Sequence, residues 1–77
     1  MNSLDHLIYM ANQIARNFAT LKEAQAIAAV AGHIRDFWDP RMKSMIFAHM
    51  DAGGAGLESV TRAALDQLAK ENGHIAA

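Results

Sequence analysis

Four histidines are the side chains of this sequence best suited to chemistry: His6, His33, His49 and His74. A metal site on a helix takes ligands three or four positions apart, so that both project from one face. No two of these histidines are so spaced, and there is no cysteine to supply a thiolate. His33 and Asp36 stand three apart, which on a helix allows a hydrogen bond and the start of an acid–base pair. No nucleophile or oxyanion donor is recognisable beside them, so an ordinary surface pair is the simpler expectation. Gly53-Gly54-Ala55-Gly56 looks like a loop that could cradle phosphate at a helix start. It lacks a preceding strand, the spaced glycines of a dinucleotide fingerprint and any Gly-Lys-Ser/Thr. Gly53, Gly54 and Gly56 are therefore expected to form a tight interhelical turn. No catalytic, cofactor-binding or metal-binding residue is expected.

Residues suited to contact are easier to find. Phe37-Trp38-Asp39-Pro40-Arg41-Met42 contains the only Trp and the only Pro. Asp can cap a helix and Pro fits its first turn, so this run is a corner with two large aromatics beside it. It is either the keystone of the core or the anchor of a partner surface. Trp, Met and Arg are enriched at interfaces, and Trp and Arg dominate hot spots. Met45, Phe47 and Met50 follow closely, more apolar surface than one small core can take from every helix. The expected interface is Phe37, Trp38, Asp39, Pro40, Arg41, Met42, Met45 and His49. In it Trp38 and Met42 are apolar anchors, Arg41 a directional donor, and Asp39 and Pro40 the corner that presents them. His49, on an apolar stripe, is expected to be structural or interfacial before it is a ligand.

The elements that must position these residues are helices. Leu4, Leu7, Ile8, Ala11, Ile14, Ala15 and Phe18 repeat with helical spacing, with Ser3 as a possible cap and Asp5 in the first turn. His6, Tyr9, Asn12, Gln13 and Arg16 form the more polar face. Asn12 and Gln13 are either solvated or polar contacts to the second helix or a partner. Thr20-Leu21-Lys22-Glu23 reads as a capping box. It opens a helix with Ala24, Ile27, Ala28, Ala31, Ile34 and Trp38 on one stripe, widened by Val30 and Phe37. Gly32 inside it implies close approach of a neighbouring helix. A third helix starts at Asp39-Pro40 and ends before the glycines. Leu57, Val60, Ala64, Leu65 and Leu68 pattern a fourth, with Glu58 and Ser59 competing as its cap and Asn72-Gly73 as its stop. Residues 74–77 are expected to fray. The spacing predicts helices over 4–18, 21–37, 40–51 and 58–71. The fold class is all-α, a small bundle of about four helices forming one domain over 1–77.

Composition narrows the classes of function. A chain of 77 residues buries only about 60% of its unfolded surface, so its stability margin is small. Scaffolds this small without disulfides often lean on oligomers or partners. Seven basic against eight acidic residues, net charge −1, speaks against nucleic-acid and anionic-membrane binding. No apolar run approaches the roughly 20 residues that span a bilayer, and no signal peptide is evident. The lack of cysteine fits a reducing compartment. A cytoplasmic protein is expected.

The sequence resembles the delta subunit of NAD-dependent, molybdenum-containing formate dehydrogenase, from about Leu7 to Leu65. The resemblance rests on Met10-Ala11-Asn12-Gln13-Ile14, His33-Ile34, and above all Phe37-Trp38-Asp39-Pro40-Arg41-Met42. His49 and Gly53-Gly54-Ala55-Gly56-Leu57 follow in the family's order. The chain departs from the family pattern at Asn17-Phe18, where a double aromatic is expected, and at Glu58-Ser59, where Asp-Pro is expected. The resemblance implies a cytoplasmic complex that oxidises formate to carbon dioxide. In it a large alpha subunit carries the molybdenum cofactor and iron–sulfur clusters. Beta and gamma subunits carry FMN, further clusters and the NAD site. The delta subunit is implied to bind none of these and to serve assembly or stability. A free-standing homodimeric helical module is the alternative for the chain by itself.

Overall fold

The junction at Asp39-Pro40 is a short corner with its own cap. In the computed structural model, which describes residues 3–73, four helices follow one another. They are α1 (Ser3–Asn17), α2 (Glu23–Phe37), α3 (Pro40–Asp51) and α4 (Ser59–Glu71), with no strand among the described residues. Asp39 is extended, with φ −76° and ψ 167°, and its carboxylate accepts from the Met42 N–H at 2.9 Å. Pro40 takes the first helical position, where its missing N–H costs nothing. The Trp38 N–H closes α2 on the Ile34 carbonyl, and Lys43 Nζ reaches back from α3 to the Arg35 carbonyl at 2.8 Å. The end of α2 and the start of α3 are thus tied by the residues that separate them.

The core is built from small and branched residues. Leu7, Ala11 and Ala15 come from α1, and Ala26, Val30, Ala31 and Ile34 from α2. Ile46 and Phe47 come from α3, and Ala64, Leu65 and Leu68 from α4, with Leu57 just before it. The buried alanines let helix backbones approach, and α2 packs most extensively on α4. Helices α1 and α4 each pack against all three others, while α2 and α3 touch least. The all-α bundle expected from periodicity is therefore the observed fold.

Several local expectations are corrected. The buried side of α2 runs through Ala26, Val30, Ala31 and Ile34, while Ala24, Ala28 and Phe37 are exposed. Alanine is too weakly apolar to set which way a helix faces; Val30 and Ile34 decide it. The capping box at Thr20 does not form. The chain is still turning off α1 there, with the Leu21 N–H on the Phe18 carbonyl. Lys22 is the extended residue before α2 and makes no side-chain cap. Ser3 is the first described residue of α1 and lies within the helix. The frayed end expected at 74–77 lies outside the described residues. Thr61, unremarked in the pattern, is fully buried with its hydroxyl unpartnered.

Gly32 is not at a helix crossing. A Cβ built on it would meet only the Arg35 guanidinium, at 3.3 Å, the movable end of a long side chain. The residue is helical, so Gly32→Ala is expected to stabilise the fold by about 0.5–1 kcal/mol. In thermal denaturation that is a rise of roughly 2–8 °C in Tm. A lower Tm would mean that Arg35 cannot yield.

Candidate partner interface

The glycine segment is a helix terminator held from three sides. The Gly53 N–H donates to the Met50 carbonyl at 3.0 Å and the Gly54 N–H to the His49 carbonyl at 2.9 Å. This pair of bonds is the Schellman arrangement, which requires a left-handed residue after the helix end; Gly53 has φ +114°. The space over Gly54 is taken by Arg62, whose Nη1 donates to the Gly54 carbonyl at 2.7 Å. His49 Nε2 donates to the Ala55 carbonyl at 2.7 Å. A carbonyl only accepts, so this nitrogen carries the proton. His49 is half-buried, and this ring nitrogen is engaged within the chain.

Asn12 completes the clamp. Its Nδ2 donates to the Gly56 carbonyl at 2.8 Å, and its Oδ1 accepts from the Glu58 N–H at 3.0 Å. The amide therefore serves the loop before α4, neither the second helix nor bulk solvent. Glu58 precedes α4 without capping it; its carboxylate instead takes both Nε and Nη2 of Arg16. Gln13 contacts only Arg16 among these groups, at 3.2 Å. Asn12→Ala strands one carbonyl and one N–H and is expected to cost about 1–2 kcal/mol. Gln13→Ala, on an exposed pair, is expected to leave the melting curve nearly unchanged. Equal melting losses in the two variants would remove the clamp from the account.

The aromatic pair at the corner splits. Trp38 is 5% exposed and belongs to the core, whereas Phe37 is 74% exposed. Phe37 leans on the His33 ring, centroid to centroid 4.8 Å. His33 therefore faces a ring, and Asp36 pairs with Arg35 at 3.5 Å; the acid–base pair considered for His33 and Asp36 is not formed. Met42 and Met45 are half-buried, and Arg41 is exposed. Pro40 lines a separate hollow of about 510 Å³ that reaches Asn72.

What the structure brings together is a strip between α1, α2 and α3. One hollow, about 320 Å³, is bounded by Tyr9, Met10, Ile14, His33, Phe37 and the edge of Trp38. Another, about 400 Å³, is bounded by His6, Leu7, Asp39, Arg41 and Met45. Met10 and Met42 line both, so the two are continuous. Tyr9 and Met10 were not among the expected interface residues. Their signal was an aromatic on the polar face of α1, and Tyr9 is 53% exposed.

Residues 6–65 match the family described as the NADH-dependent formate dehydrogenase delta subunit, FdsD. The chain belongs to this family. No curated protein and no solved structure matches it. The delta-subunit match spans Asn12, the Asp39-Pro40 corner, the glycine terminator and nearly all of the strip. Where the expected family pattern has Asp-Pro before α4, this delta subunit begins the helix from Glu58-Ser59, and Asn12 holds the Glu58 N–H. Among the described residues, no group of three or more His, Cys, Asp or Glu could hold a metal ion. No described helix is long and apolar enough to cross a membrane. Membership of the family makes the other formate dehydrogenase subunits its partners.

Proposed function

We propose that this delta subunit is a non-catalytic accessory subunit of a cytoplasmic NAD-dependent formate dehydrogenase. It docks on the large subunit that carries the molybdenum cofactor and iron–sulfur clusters, and through it joins the FMN- and NAD-bearing subunits. Docking supports assembly or stability of the complex. The observation that carries this reading is the exposed apolar strip running from Tyr9 and Phe37 past Met10 and Met42 to Met45. Contiguous apolar surface of this kind marks contact sites in small soluble proteins. The strip is presented by a rigid scaffold, since the corner and the glycine terminator are both fixed by internal hydrogen bonds. A pre-ordered surface loses little conformational freedom on binding. A partner that binds the folded, assembled form stabilises it by mass action.

The test is to produce the remaining subunits with and without this chain. The yield of intact complex is expected to fall without it, while formate oxidation per bound molybdenum stays the same. Unchanged yield, or lower turnover in complex of unchanged metal content, would contradict the role.

A further inference from the structure

We propose that the hollow between α1 and α3 is a copper(I) site held by His6, Met10, Met42 and Met45. All four side chains line this one space of about 400 Å³. His6 and Met10 stand four apart on α1, and Met42 and Met45 three apart on α3. Each pair therefore projects from one face of its helix. The two helices pack directly on each other. Pairs of donors on facing helices are how bundles build metal sites. Spacing among the histidines alone does not reveal the set, because three of its four donors are thioethers.

The donors decide the metal. A thioether is neutral, polarisable and soft, and it selects copper(I) over harder divalent ions. Zinc draws on thiolates, imidazoles and carboxylates, and the four donors supply a single imidazole. Met10, Met42 and Met45 are half-buried, packed on the core yet bordering the hollow. Three rotatable bonds let each sulfur swing toward a shared point. His6 is exposed and has no partner among the described residues, so its ring is available to the same point. The rim carries one charge of each sign, Asp39 and Arg41, so a bound cation meets no net positive wall.

The site is independent of the docking role, and the purified full chain tests it. Copper(I), delivered as its acetonitrile complex under nitrogen, is titrated into the chain while methionine methyl and histidine ring NMR signals are followed. The signals of His6, Met10, Met42 and Met45 are expected to shift together and to saturate at one copper(I) per chain. Met50, at a hollow between α3 and α4, is expected not to move. Met10→Leu and Met42→Leu conserve volume, and His6→Ala places a good helix former at an exposed position, so all three fold. Each is expected to lower copper(I) affinity by about tenfold or more, at least the loss caused by removing a ligand's supporting hydrogen-bond partner. Circular dichroism melts separate lost affinity from lost fold. Shifts spread over Met50 and the other histidines, or equal affinity in all three variants, would mean adventitious binding and overturn the site. No shift at all would overturn it too. Zinc(II) held more tightly than copper(I) by the same residues would overturn the choice of metal.

Discussion

Trp38→Ala is expected to take away a large share of the isolated chain's stability and to lower its Tm steeply. The indole is 5% exposed and lies in the same cluster as Ile34, Ile46 and Phe47. Removing a buried aromatic of this size costs about 3–5 kcal/mol, from lost burial together with the cavity left behind. A chain of 77 residues has a total of roughly 4–12 kcal/mol to lose. Circular dichroism melts should therefore show a large fall in Tm, with complex formation falling in parallel because less folded chain is present. A variant that melts like the natural chain yet no longer enters the complex would make Trp38 a contact residue instead.

Phe37→Ala is expected to do the reverse. Its ring is 74% exposed and loses only what it gains from leaning on His33, so Tm should move little. Binding to the rest of the complex should weaken by about 2 kcal/mol, near thirtyfold, the scale of an aromatic hot spot. Titration of the variant against complex lacking the delta subunit measures this directly. Wild-type affinity would remove Phe37 from the interface. Neighbouring aromatics with opposite consequences follow from helix geometry and its end. Phe37 is the last residue of α2, and Trp38 is the extended residue that turns back over the core.

That division was not legible in the sequence, although the corner itself was. Asp39 and Pro40 act within one helical turn, so their types suffice to place the break and the cap. The glycine turn was legible for the same reason: Gly53 and Gly54 terminate α3 through bonds to residues only a few positions back. Asn12 was not, because its partners lie 44 and 46 residues away. An amide on a helix surface gives no sign of a loop that tertiary packing will bring to it. The facing of α2 was misread at Ala24 and Ala28, where alanine's small apolar contribution lets either side of a helix look like the core. Gly32 was read as a close crossing, and the structure supplies only Arg35 beside it. Of the expected interface, Phe37, Asp39, Arg41, Met42 and Met45 gather on one strip, while Trp38 turns inward with only its edge on the strip, Pro40 lines another hollow and His49 is engaged with Ala55.

Docking on the large subunit through the strip that Phe37 dominates is the proposal on which the assigned role depends. Affinity purification of the tagged chain from cells making the complete enzyme tests it most directly, with mass spectrometry of what is retained. The account predicts the large molybdenum and iron–sulfur subunit in stoichiometric amount with the natural chain, and its loss with a folded Phe37→Ala chain. Recovery of the chain alone, as a stable dimer in cells that contain the assembled enzyme, would contradict it.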